Sequence, residues 1–98
     1  QELQTQQLQG IQEPAFISAT AKLGNNVFVA AFSYIGENVI IGNNVKLFAG
    51  VFIGNNVTIL KGVEIGKNSV IANGSVVTSS VPENVVVAGV PAKIIKQL

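Results

Sequence analysis

A six-residue period governs this chain. Counting from Ile11, each hexad opens on an aliphatic residue: Ile11, Ile17, Leu23, Val29, Ile35, Ile41, Leu47, Ile53, Ile59, Ile65, Ile71 and Val77. The fifth place is small or β-branched throughout, from Ala15, Ala21 and Val27 through Ser33, Val39, Val45, Val51, Val57 and Val63 to Ser69, Ser75 and Val81. Six is not a multiple of the helical period, and the recurring Gly-Asn-Asn would interrupt a helix at every turn. In a strand, by contrast, the fifth place of one hexad and the first of the next share a face, because they lie two residues apart. Each hexad therefore supplies a very short strand with those two positions pointing inward and the sixth position pointing out. Positions two to four make the corner. Gly24, Gly36, Gly42, Gly54 and Gly66 fill position two, and Asn26, Asn38, Asn44, Asn56 and Asn68 fill position four, with Gly50, Gly62 and Gly74 as alternates there. Both residue types accept a left-handed backbone at low cost. Three hexads close a triangle. The whole run makes about four coils stacked by parallel β hydrogen bonds, an all-β solenoid about 19 Å tall.

The composition sets bounds on function. With 98 residues the chain has room for one small domain. It is 48% hydrophobic and 11% charged, which is not the balance of a disordered segment. Its basic residues are six lysines spread along the chain, and the net charge of +1 argues against a nucleic-acid grip. The absence of cysteine excludes a disulfide framework, a thiolate metal site and a thiol nucleophile, and no other cluster suggests a metal. No apolar run approaches the roughly 18 residues of a membrane span. No secretory signal pattern opens the sequence, and its first residue, Gln1, points to a processed or trimmed chain; the expectation is a cytoplasmic protein.

The ends depart from the period. Residues 1–10, Gln-rich with Leu3 and Leu8, read as a linker or fraying helix ended by Gly10. Residues 11–82 are the repeat. Residues 83–98 leave the frame and read as a C-terminal cap, which a solenoid needs to cover its unpaired strand edges. Within it, Val85 to Val87 can run as a further strand. Pro91 suits the first position of a short helix, with Ile94, Ile95 and Leu98 on one face.

The outward sixth positions, taken every third hexad, form three columns. One is Phe16, Tyr34, Phe52, Val70; the second is Lys22, Ile40, Thr58, Val76; the third is Phe28, Lys46, Glu64, Pro82. Phe32 and Phe48 fall on the corner beside the first column, with Ala30, Ala31 and Ala49. One edge of the prism is thus apolar and aromatic, the usual mark of an interface. The expected interface residues are Phe16, Phe32, Tyr34, Phe48, Phe52 and Val70, with self-association around a threefold axis as the expected assembly. An acyl-chain or ligand groove is the alternative use of the same edge.

The hexads resemble those of the hexapeptide-repeat acyltransferase family. The stretch IGKNSVIANGSVVTSSVPENVVVAGVPAKIIK, from Ile65 to Lys96, is similar to the end of sugar and small-molecule O- and N-acetyltransferases. The stretch GIQEPAFISATAKLGNNVFVAAFSYIGENVIIGNNV, from Gly10 to Val45, looks like the start of the β-helix in lipid A acyltransferases. The resemblance implies a left-handed parallel β-helix; the handedness comes from it alone, since general crossover rules favour the opposite hand. It also implies a homotrimer with sites in the clefts between subunits, and acyl transfer from coenzyme A or acyl carrier protein to a sugar hydroxyl or an amine. Family cofactor contacts carry over onto Ala72, Gly74, Ala88, Gly89, Lys93 and Lys96.

The chain departs from the family pattern in having no histidine, the usual general base, and no long loop protruding from a coil. Glu13, Glu37 and Glu64 fall on different columns, where solvated surface charges are the ordinary reading. Tyr34 reads as packing. Ser33, Ser69 and Ser75 read as small core residues without a base to activate them. No catalytic residue is assigned. The first expectation is a non-catalytic trimeric scaffold, shortened or engineered, for which no cofactor is needed. The alternative is a coenzyme A-dependent acetyltransferase acting on an amino sugar or similar small amine. A neutral amine is already nucleophilic and needs little help from a base.

Overall fold

The computed structural model describes residues 10–98. The linker or helix expected over residues 1–10 lies outside the described residues except for Gly10. Twelve two-residue strands follow one another at hexad spacing: β1 (Gly10–Ile11), β2 (Phe16–Ile17), β3 (Lys22–Leu23), β4 (Phe28–Val29), β5 (Tyr34–Ile35), β6 (Ile40–Ile41), β7 (Lys46–Leu47), β8 (Phe52–Ile53), β9 (Thr58–Ile59), β10 (Glu64–Ile65), β11 (Val70–Ile71) and β12 (Val76–Val77). Two longer strands, β13 (Val85–Gly89) and β14 (Ala92–Gln97), end the chain.

Every third strand joins the same sheet. The first face is β1-β4-β7-β10, the second is β2-β5-β8-β11-β13-β14, and the third is β3-β6-β9-β12. Within the prism each pairing is parallel, with Phe16 beside Tyr34, Tyr34 beside Phe52 and Phe52 beside Val70. The coils are joined by regular bonds in which an N–H donates to a carbonyl of the next coil: Tyr34 to Val51 at 2.8 Å, Ile40 to Val57 at 2.9 Å, Gly54 to Ile71 at 2.9 Å. This is the expected β-solenoid of about four coils.

The inward positions form one axial core. Ile35, Leu47, Ile53, Ile65 and Ile71 are wholly buried, as are Val39, Val45, Val51 and Val57. Burial falls off at the open end, where Ile11 is exposed and Ile17 and Leu23 are only partly covered. The three inward serines are buried too, and each hydroxyl is bonded to backbone. Ser33 Oγ donates to the Phe48 carbonyl at 3.2 Å, and Ser69 Oγ donates to the Pro82 carbonyl at 2.6 Å. Ser69 Oγ also accepts the Val85 N–H, and Ser75 Oγ accepts the Gly89 N–H. No buried side-chain polar atom lacks a partner among the described residues.

The two corner positions have different physical causes. Left-handed φ falls at position four: Asn26, Asn38, Asn44, Asn56 and Asn68 lie between 58° and 63°, with Gly50, Gly62 and Gly74 between 72° and 74°. Position-two glycines do not share that conformation. A Cβ on Gly42 would lie 2.6 Å from the Lys61 backbone nitrogen, and one on Gly66 would meet the Glu83 backbone. These glycines are required by the close approach of the next coil, a different reason from the left-handed turn expected for them. Asparagine at position three adds a lateral tie: Asn43, Asn55 and Asn73 Oδ1 accept backbone N–H groups from the coil before, at 2.7, 2.9 and 2.8 Å.

The last coil is shorter than the frame predicts. Earlier coil-to-coil partners lie 18 residues apart, whereas Ser80 Oγ meets the Glu64 N–H across 16 residues. Ile65 then bridges Val81, and Val70 pairs with Val86. Thr78 to Ser80 cut the corner, so Pro82 does not continue the Phe28, Lys46, Glu64 column as expected. The cap also differs from expectation in kind. Val85–Gly89 forms the extra strand, but the segment after Pro91 is not a helix. It is β14, antiparallel to β13, with Ala88 opposite Lys93 and Gly89 opposite Ala92. The turn is made possible by Gly89 at φ 106°. A free edge of β13 offers backbone partners to the whole segment, and the β-branched Ile94–Ile95 pair suits a strand.

Candidate functional site

Two surface features stand out from the Gly-, Asn- and Ser-rich corners. The first is the aromatic column. Because the second face is in strict register, Phe16, Tyr34 and Phe52 stack along the axis, with ring centroids 4.9 and 4.7 Å apart and planes within 17° and 4° of parallel. The ring faces cover one another and leave an apolar rib of edges. Val70 and Val86 continue the column towards the cap. Phe32 stands at the corner beside it, 73% exposed. Pro14, Ala15, Phe16, Phe32, Ser33 and Tyr34 surround a shallow depression of about 420 Å³.

Phe48 is placed differently from the other aromatics of this group. It turns across the first face and meets Phe28 edge-on, with centroids 6.0 Å apart at 65°. Phe28, an outward position, is buried. So Phe16, Phe32, Tyr34, Phe52 and Val70 share one edge, and Phe48 covers its neighbour.

The second feature lies at the C-terminal end. The shortened corner and the β13–β14 hairpin enclose a pocket of about 390 Å³, lined by Thr78, Ser79, Ser80, Val81, Pro82, Val87 and Pro91 to Ile94. Its lining includes three hydroxyl-bearing residues and Lys93 beside the apolar Val81, Pro82, Val87, Ala92 and Ile94, with the Ser80 Oγ also accepting the Glu64 N–H at 3.0 Å. Of the residues expected to meet a cofactor, only Lys93 lines this pocket. Ala72 and Gly74 lie at the corner one hexad earlier, and the Ala72 N–H donates to the carbonyl of Val87, a residue of the pocket lining, at 2.9 Å. Ala88 and Gly89 end β13, and Ala88 faces Lys93 across the hairpin. Lys96 pairs with Val86 at the far end of that hairpin, on the rib column. The hydroxyl residues Thr78, Ser79 and Ser80 were not expected here. Their sequence signal is the point where the six-residue frame fails.

Among the described residues the carboxylates do not converge. Glu64 lies on the first face beside Lys46, while Glu37 and Glu13 occupy different corners. The hydroxyls of Ser33, Ser69 and Ser75 are committed to backbone bonds, and no group of three metal-ligating side chains occurs among the described residues. No helix among them is long and apolar enough to cross a membrane.

Known proteins match both the repeat and the fold. A 2,3,4,5-tetrahydropyridine-2,6-dicarboxylate N-acetyltransferase of Clostridium botulinum is 74% identical over 27 residues, 28% of this chain and 11% of that protein. The crystal structure of the polySia-specific acetyltransferase NeuO superposes with a TM-score of 0.84 at 31% identity, covering 89% of this chain and 50% of NeuO. A serine acetyltransferase solved in complex with CoA gives a TM-score of 0.76 at 31% identity, covering 87% of this chain and 41% of that enzyme. The chain thus spans half or less of the length of these relatives. The family description for bacterial transferase hexapeptide repeats (six repeats) matches residues 20–50 and 45–79, the stretch that builds the central coils. With more than half its length matched and the solenoid formed in register, the chain belongs to the bacterial transferase hexapeptide family.

Proposed function

We propose that this chain is a self-associating β-solenoid scaffold of the hexapeptide acyltransferase type, assembled as a homotrimer and without acyl-transfer chemistry of its own. The observation that carries the reading is the rib. Phe16, Tyr34 and Phe52 are stacked with one another yet remain 53%, 37% and 43% exposed on a prism whose other corners are mostly Gly, Asn, Ser, Thr and Lys, with Leu60 the exposed large apolar residue there. Burying such an edge between subunits around a closed axis removes it from water and stops further growth. The non-catalytic part rests on the chemistry of the side chains. Acyl transfer to a hydroxyl needs a proton acceptor near neutral pH; these residues contain no imidazole, and their carboxylates are dispersed. Analytical ultracentrifugation tests the assembly: three times the chain mass is expected, and a monomer at every concentration refutes it.

A second reading is supported by the C-terminal pocket. Its hydroxyls and Lys93 suit a phosphate-bearing ligand with an apolar portion, and a serine acetyltransferase of the same fold has been solved with CoA. On this reading the chain binds acetyl-CoA and acetylates a small amine, positioning it without a strong base. Calorimetric titration with acetyl-CoA, followed by thiol release in the presence of amino-sugar acceptors, separates the two. Sustained turnover, whether or not Glu37→Gln or Glu64→Gln abolishes it, refutes the scaffold reading.

A further inference from the structure

The corner beside the rib carries an anomaly. Its position-four residues in successive coils are Phe32, Gly50, Asn68 and Asn84, with φ of 65°, 72°, 62° and 61°. Every other described residue with positive φ is Asn or Gly. Gly has no Cβ to clash with the following carbonyl, and Asn offsets the clash with local hydrogen bonding; Phe has neither remedy. The backbone around it is held by the ladder, with the Phe32 N–H donating to the Pro14 carbonyl. The ring does not compensate by packing inside the subunit: among the described residues it is the most exposed of the large apolar side chains. A bulky residue in an unfavourable backbone region with its side chain in solvent weakens the isolated subunit. Such outliers point to a contact made elsewhere.

We propose that Phe32 is an anchor for a second copy of this chain, held in a strained corner because its ring is buried in the neighbouring subunit. The inference rests on the self-association reading above and assigns one residue a specific part in it. Three observations favour a second copy as the occupant. First, the Phe32 ring stands at the rim of an apolar depression that it lines together with Pro14, Phe16 and Tyr34, so one edge offers a neighbouring copy both a projecting ring and apolar surface beside it. Second, the layout is that of an interface, with an apolar centre and a polar rim. The third corner position runs Glu13, Ala31, Ala49, Lys67, Glu83, so uncharged small residues occupy the middle and exposed charges lie towards either end. Third, the area is appropriate. At about 150–250 Å² per aromatic side chain, the exposed parts of Phe16, Phe32, Tyr34 and Phe52 amount to about 400 Å². That is roughly half of the 800 Å² that each partner contributes to a standard interface, and the flanking alanines extend it.

The test uses the whole chain and two variants. Phe32→Asn restores the residue that the repeat prefers at this corner, relieving the backbone and removing the ring. Phe32→Leu keeps the backbone strain and shortens the anchor. Sedimentation equilibrium gives the association constant, and denaturant unfolding at concentrations below association gives the stability of the subunit. The expected result is opposite in sign for the two readouts with Phe32→Asn. The folding equilibrium constant rises about 5–30-fold, while association weakens at least tenfold. Phe32→Leu weakens association without the gain in subunit stability. If the wild type associates and both variants associate as tightly, the anchor is overturned while self-association stands. A Phe32→Asn subunit less stable than the wild type overturns the strain. A wild type that stays monomeric overturns both the anchor and the assembly.

Discussion

Ile53→Ala is the perturbation whose cost can be worked most directly from the packing. Ile53 is fully buried and lies between Ile35 below and Ile71 above on the second face. The substitution removes three carbons from a dry core, which at about 0.8 kcal/mol each gives a transfer loss of about 2.4 kcal/mol. The cavity adds to this only if the walls cannot close. Here the walls are pinned from both sides, since the Gly36 N–H donates to the Ile53 carbonyl and the Gly54 N–H to the Ile71 carbonyl, each at 2.9 Å. Coils tied at their backbone spacing cannot collapse onto a missing side chain, so the total is expected in the upper part of the observed range, about 3–5 kcal/mol. Ile11→Ala is the internal comparison: the same chemistry at the open end, where the residue is 52% exposed, should cost about 1 kcal/mol. Lys67→Ala, at an exposed corner, should stay within about 0.5 kcal/mol. All three are read by denaturant unfolding at one fixed protein concentration, because association contributes to apparent stability. Equal costs for Ile53 and Ile11 would refute the argument that a laddered, non-collapsing core sets the magnitude.

Phe52→Glu puts a charge in the centre of the rib and should convert the assembly to monomer or unfold it, whereas Lys46→Glu on the first face should leave the sedimenting mass unchanged. Ser69→Ala leaves the Val85 N–H and the Pro82 carbonyl without the hydroxyl they share, and should cost about 1–3 kcal/mol with faster hydrogen exchange at Val85. If acetyl-CoA binds in the C-terminal pocket, Lys93→Ala should weaken the calorimetric affinity while Lys61→Ala, outside the pocket lining, does not; equal effects would remove the pocket from the reading.

The prism was legible because its determinants are local and repeated. An aliphatic at each hexad opening and a small or β-branched residue two places before it define an inward face without reference to anything distant, and the register then aligns Phe16, Tyr34 and Phe52. What was not legible depends on contacts between coils or at the chain end. Position-two glycine looks like a turn residue in sequence, yet its cause at Gly42 is the backbone of Lys61 one coil on. Phe28 looks solvent-facing until Phe48 is seen to cover it. The PAKIIK segment has apolar spacing compatible with a helix, and only the unpaired edge of β13 decides for a strand. The loss of two residues after Val77 is written in the sequence as Thr-Ser-Ser-Val-Pro, but the hexad frame passes through Val81 either way, because that residue is inward in both registers. The C-terminal pocket, which follows from the shortened corner, was therefore missed apart from Lys93.

The strict stacking of every third strand has a consequence for how such a chain can change in length. Inserting one hexad into a middle coil would leave the core pattern intact, since an aliphatic would still open each repeat. It would also carry everything beyond the insertion round to the next face of the triangle. The rib would then break, with its lower rings on one side and its continuation on another, although the fold itself would survive. Only a gain or loss of a whole coil keeps core and surface columns continuous together. Insertions and deletions are thus sorted by arithmetic: multiples of one hexad are tolerated for folding, and multiples of three are tolerated for assembly as well.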